Sequence, residues 1–108
     1  MLYLFVYNLY IFCTVKVNKE FWSKFQASAG VYAVGEVATG DAVFDGSFQG
    51  YMDSILNYPM FYVIRNVFGN NTYYSMIDLH NGIIKNRQNF NDTTILGNFI
   101  DNHDQNRN

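Results

Sequence analysis

Twenty of the 108 residues are aromatic, ten Phe, nine Tyr and one Trp, and a body this small has little interior in which to place them. The one cysteine, Cys13, can form neither an internal disulfide nor a multi-cysteine zinc site. Stability must therefore come from the core. With 49% hydrophobic and only 15% charged residues, the chain is globular rather than disordered or a coiled coil. A net charge of -2 is too weak, and of the wrong sign, for a nucleic-acid or anionic-membrane partner. The aromatic load exceeds what a chain of this length easily covers, so the first expectation is a piece of something larger.

Met1 to Val15 is apolar or aromatic except at Asn8 and Thr14. That run falls short of the roughly 20 residues that span a bilayer. It lacks the basic start and the small-residue cleavage site of a signal peptide, which leaves a buried strand or an aberrant N-terminus. Val17, Phe21, Trp22 and Phe25 recur at helical spacing opposite Lys16, Lys19, Glu20, Ser23 and Lys24, so an amphipathic helix is expected from Val17 to Ser28. Val31 to Val37 reads as a buried parallel strand. Thr39-Gly40-Asp41 opens a loop, and Ala42 to Gln49 is irregular. Tyr51 to Pro59 is an apolar segment stopped by its proline. Met60 to Phe68 and Tyr74 to Asn86 read as helices, and Thr93 to Ile100 as another buried strand.

Strands alternating with helices predict a parallel sheet of βα units. In such sheets chemistry gathers beyond the carboxyl ends of the strands, where both Glu36 and Asp104 fall. There is no Gly-rich phosphate loop of either common type, and two isolated histidines without HExxH spacing argue against a metalloprotease. His80 is expected on a polar surface. Phe61, Tyr62, Phe68, Tyr73 and Tyr74, at helical spacing after Pro59, read as core or barrel-shell packing rather than as sugar-stacking platforms. Asp53 reads as structural. Two sequons, Asn70-Asn71-Thr72 and Asn91-Asp92-Thr93, fall in expected loops and are compatible with a secreted parent.

Three stretches, in order, carry a more specific signal: Gly30-Val31-Tyr32-Ala33-Val34-Gly35-Glu36-Val37 with Gly40-Asp41, then Met52-Asp53-Ser54-Ile55-Leu56-Asn57-Tyr58-Pro59, then Phe99-Ile100-Asp101-Asn102-His103-Asp104. Together they resemble the alpha-amylase family of glycoside hydrolases, nearest its fungal-type enzymes, from about Thr14 to Arg107. The resemblance implies an α/β fold, an incomplete (β/α)8 TIM barrel running from the helix after strand 4 through strand 7. Residues 14–108 would be the partial catalytic barrel, and residues 1–13 an apolar segment without family resemblance. Such a barrel takes about 250 residues for its eight strands, so truncation at both ends is expected.

Carried over residue by residue, the resemblance makes Glu36 the general acid/base and Asp104 the carboxylate that stabilises the transition state. His103 matches a substrate-binding histidine, Lys16 a lysine on the leaving-group side, and Gly40 a backbone contact near it. The implied reaction is retaining hydrolysis of internal α-1,4-glucosidic bonds in starch or glycogen. Retention needs one protonated carboxyl to hand a proton to the leaving oxygen and one ionised carboxylate, about 5 Å away, to attack the anomeric carbon. The expected partner is starch or a maltooligosaccharide, with no nucleic acid and no membrane. A secreted, lysosomal or vacuolar location is implied for the parent enzyme.

The chain departs from the family where the nucleophile belongs. Cys13 stands at the aspartate position before Thr14-Val15-Lys16, Ile11 at the arginine position, and Val17 where a histidine should follow the lysine. A thiolate is a poor partner for an oxocarbenium-like centre, so Cys13 is not a replacement nucleophile. The family's structural calcium uses the backbone carbonyl of that missing histidine and ligands earlier in the barrel, so the calcium site is expected to be missing. The 108 residues alone are expected to be inactive. Two readings of another class stand beside this one: a non-catalytic carbohydrate-binding remnant, and a protein tethered to a membrane through Met1 to Val15.

Overall fold

The computed structural model describes residues 10–13, 17–69 and 72–106. Three parallel strands lie in chain order, β1 (Tyr10–Cys13), β2 (Ala33–Glu36) and β3 (Ser54–Ile55). Tyr10 pairs with Ala33 and Cys13 with Glu36, and Val34 pairs with Ser54 and Gly35 with Ile55. A parallel bridge from Leu56 to Gly97 extends this order by one more segment. Every crossover between the paired segments contains a helix, as parallel pairing requires. The expectation of an α/β chain built from βα units is met; the described residues form a small mixed α/β unit.

Helix α1 (Lys19–Ala29) joins β1 to β2. The Asn18 side chain accepts from the Glu20 N–H at its start, and Gly30, at φ 64°, ends it in the left-handed conformation with its N–H on the Gln26 carbonyl. Trp22, on its inner face, packs with Ala33 and Met52, flanked by Phe25 and Tyr51. Helix α2 (Ala42–Gly46) occupies the stretch read as irregular, because Asp41 caps it by accepting from the Val43 N–H at 3.0 Å. Helices α3 (Tyr58–Phe68) and α4 (Met76–Asn89) follow β3. Pro59 sits in the first turn of α3, where its missing N–H costs nothing, so this proline starts a helix rather than only stopping the apolar segment before it. At α4, Ser75 donates its N–H to the Asp78 carboxylate at 2.7 Å.

A second core cluster of Val37, Ala42, Phe48, Ile55, Phe90 and Leu96 lies between the sheet and the later helices. The strand expected over Thr93 to Ile100 is corrected: Thr93–Ile95 is a short 3-10 turn, and only Gly97 bridges to the sheet. The cause is local. Asp92 accepts from both the N–H and the hydroxyl of Thr94, at 2.8 and 2.6 Å, which draws the backbone into a turn. The five aromatics expected to pack in a core or barrel shell divide here. Phe61 is buried and Tyr62 half-buried, but Phe68, Tyr73 and Tyr74 are exposed.

Candidate functional site

Because the strands are parallel, Glu36, the last residue of β2, stands at the carboxyl end of the sheet. Its Oε1 accepts a hydrogen bond from the Tyr58 hydroxyl at 2.6 Å. Tyr58 reaches it from the first turn of α3, two residues past the Leu56 bridge, and is fully buried. Its ring is gripped edge-on by Phe99 at 5.0 Å and Phe61 at 5.8 Å, with Tyr62 tilted against it at 5.9 Å. The same hydroxyl accepts from Asn102 Nδ2 at 2.8 Å. Burial first, and then the neighbouring Glu36, raise the Tyr58 hydroxyl far above the ordinary tyrosine range, so it keeps its proton.

Asn102 immediately precedes His103 and Asp104, and its Oδ1 accepts from the Asp104 N–H at 3.2 Å. His103 Nε2 lies 3.2 Å from Asp104 Oδ1, and both side chains are more than half exposed, 53% and 57%. Three of the residues expected to form the site, Glu36, His103 and Asp104, are thus linked through Tyr58 and Asn102. Neither linking residue was singled out from the sequence. The available signal was the hydroxyl of Asn57-Tyr58-Pro59, which directly follows a strand in a sheet where strand ends gather the chemistry.

Gly40 lies on the loop after β2, at φ 76°, where a side chain is strained. A Cβ there would also stand 2.6 Å from the Tyr62 ring, so loop and ring can approach only with glycine at this position. The Gly40 N–H donates to Asp45 Oδ2 at 3.2 Å, and the Thr39 hydroxyl donates to Asp45 Oδ1. Asp45 is buried, and burial raises its carboxyl to about 6. The two hydrogen bonds oppose that rise, and the Asp41 charge adds to it. Asp45 thus ties the Gly40 loop to α2, a second contribution that the sequence reading missed.

Lys16 lies outside the described residues, as do Met1 to Leu9 and both asparagines of the Asn70-Asn71-Thr72 sequon. Position 13 is in backbone register with Glu36 on the neighbouring strand. Asp53 accepts from Gln26 Nε2 at 2.6 Å and the Ala33 N–H at 2.8 Å, joining α1 and β2 at the opposite, amino end of the strands. It lines a cavity of about 400 Å³ there, with Gln26, Gly30 and Tyr32. His80 is exposed. Among the described residues, no three His, Cys, Asp or Glu side chains converge to hold a metal ion. Also among them, no helix is long and apolar enough to cross a membrane.

No family model matches the chain. Alpha-amylase 2 of Schwanniomyces occidentalis is 41% identical over 91 residues, 84% of this chain and 18% of that protein. Alpha-amylase 1 of Lipomyces kononenkoae is 37% identical over 97 residues, 87% of this chain and 15% of that protein. Among solved structures, an alpha-amylase from Malbranchea cinnamomea matches with a TM-score of 0.80 at 36% identity, over 89% of this chain and 20% of that one. An alpha-amylase from Geobacillus thermoleovorans, complexed with acarbose, shares the fold with a TM-score of 0.76 at 24% identity, over 89% of this chain and 23% of that one. The chain therefore spans under a quarter of the length of these relatives. Identity to fungal alpha-amylases over most of its residues, and superposition on a solved one, make this chain a partial alpha-amylase family domain.

Proposed function

We propose that these residues are the part of an alpha-amylase-type glycoside hydrolase from the helix after strand 4 through strand 7 of a (β/α)8 barrel. In this reading Glu36 is the acid/base of retaining hydrolysis of internal α-1,4-glucosidic bonds in starch or glycogen. Asp104 is the stabilising carboxylate, and His103, Lys16 and Gly40 contact the sugar. The observation that carries the reading is the hydrogen-bonded line from Glu36 through Tyr58 and Asn102 to the Asp104 backbone. It supports one site at the carboxyl end of the strands, the end where barrels of this class do their chemistry.

The division of labour follows from the exposures. Glu36 is half-buried beside an apolar aromatic cluster, the setting that suits a group exchanging a proton with a leaving oxygen. His103 and Asp104, open to solvent, suit contacts to sugar hydroxyls. In this reading the nucleophile is missing, because the resemblance sets Cys13 at its position; Cys13 is in backbone register with Glu36. On this reading residues 1–13 are a segment without family resemblance, the calcium site of the family is missing, and the parent enzyme is secreted, lysosomal or vacuolar.

Cys13 also favours a second reading, a carbohydrate-binding remnant without catalysis. Both readings expect no hydrolysis by the chain alone, so turnover and sugar binding are tested together on the purified chain. Reducing ends released from soluble starch and maltooligosaccharide binding are measured with and without Glu36→Gln and His103→Ala. The expected result is binding weakened in His103→Ala and no hydrolysis. Turnover abolished by Glu36→Gln would overturn the expected inactivity. Absence of any binding by the folded chain would overturn the carbohydrate reading altogether.

A further inference from the structure

We infer that Tyr58 and Asn102 are positioning residues that hold the Glu36 carboxyl and the His103-Asp104 turn in one fixed relation. The inference rests on the reading of Glu36 and Asp104 as parts of one carbohydrate site. Three observations carry it, each independent of the motifs. First, the direction of the hydrogen bonds is fixed by valence. Asn102 Nδ2 can only donate, so the Tyr58 oxygen accepts from it and the single hydroxyl proton points to Glu36 Oε1.

Second, Asn102 works on both sides: Nδ2 holds the tyrosine, and Oδ1 accepts the Asp104 N–H. A rotation of this one amide would break both bonds, so the orientation of the Glu36 partner and the turn carrying Asp104 are set together. Third, Tyr58 cannot swing away. It is fully buried, with Phe61, Tyr62 and Phe99 around its ring. Its raised proton affinity, from burial and from Glu36, keeps it a donor throughout the neutral range. A tyrosine needed only to fill the core would not require its hydroxyl here; phenylalanine would pack equally well. The hydroxyl places one Glu36 oxygen, which controls the angle at which the other can meet a leaving group.

Glu20 and Glu36 are the chain's two glutamates, which makes a direct test available. The full chain is labelled with carbon-13 at the glutamate side-chain carboxyls, and the Glu36 resonance is assigned with Glu36→Gln. In Tyr58→Phe the Glu36 resonance is expected to move, while that of Glu20, exposed on α1, stays in place. In Asn102→Ala the Glu36 resonance is expected to move less, and hydrogen exchange at the Asp104 amide to quicken roughly tenfold, the effect of losing one hydrogen bond.

An unmoved Glu36 resonance in a folded Tyr58→Phe chain overturns the inference. Should Tyr58→Phe fail to fold, the Asn102→Ala measurement decides: an unmoved Glu36 resonance or an unchanged Asp104 amide overturns it. The coupling and the carbohydrate reading fail separately. A chain that shows the coupling but binds no maltooligosaccharide refutes the carbohydrate reading and leaves the coupling standing. A chain that binds the sugar with Glu36 unmoved refutes the coupling alone.

Discussion

Asn57 makes more of the fold than an asparagine between a strand and a helix ordinarily does. Its Oδ1 accepts from Asn86 Nδ2 on α4 at 2.8 Å and from the Met60 N–H at 3.3 Å, while its Nδ2 donates to Asn98 Oδ1 at 2.8 Å. One buried amide therefore caps α3 and ties it to α4 and to the segment beside Gly97. Asn57→Ala removes all three bonds and leaves the buried Asn86 amide without its acceptor. A loss of about 2–4 kcal/mol is expected, read as a lower urea midpoint at unchanged slope. Asp45 gives a pH dependence of definite sign. Burial raises its carboxyl from about 3.8 to about 6, so the folded chain holds this proton more tightly than the unfolded one. Its stabilising contribution is present below the lower value and is lost as pH rises through the upper one. Lowering the pH from 7.5 to 5 should therefore raise the urea midpoint, and Asp45→Asn should flatten that rise. Asp92 acts in the opposite sense at lower pH. Its carboxyl is depressed by Thr94, so its contribution fades only as pH falls below the ordinary carboxylate range.

At the scale of elements, the sequence is legible where a face repeats and illegible where a side chain bends the backbone. Helix α1 could be read from Phe21, Trp22 and Phe25, and β2 from an apolar run with a glycine inside it. Helix α2 escaped notice because its five residues carry too little pattern, and its cause is the Asp41 cap. The strand expected after Thr93 failed for a related reason, since Asp92 competes for the Thr94 backbone and β-branched residues alone do not hold a strand. Gly46 shows a contact that no local pattern reports. A Cβ there would lie 2.2 Å from the Asn89 carbonyl oxygen, so α2 and the end of α4 touch backbone to backbone. Gly46→Ala forces those two helices apart and is expected to cost about 1–3 kcal/mol. Thermal unfolding followed by circular dichroism measures it, and an unchanged midpoint would show that α2 shifts freely against α4.

For the whole molecule, the candidate site divides in the same way. Glu36, His103 and Asp104 could be named because their motifs are local. Tyr58 and Asn102 could not, because their contact joins residues 44 positions apart and depends on how β3 and the last segment lie side by side. The aromatics among the described residues divide too. Those near the sheet pack as Trp22, Phe48, Tyr58, Phe61 and Phe90 do, but Phe68 is 67% exposed at the end of α3, and Tyr73 and Tyr74 are exposed before α4. Along α4, Met76, Ile77, Ile83 and Ile84 are also exposed, and their spacing of seven places them in one stripe. Apolar surface gathered on one helix face drives self-association in proportion to the area it can bury. The purified chain is therefore expected to associate with rising concentration in sedimentation velocity. The double substitution Ile77→Lys and Ile84→Lys, which sets charge in the middle of the stripe, should return it toward the monomer. Association unchanged by both lysines would place the contact elsewhere on the surface.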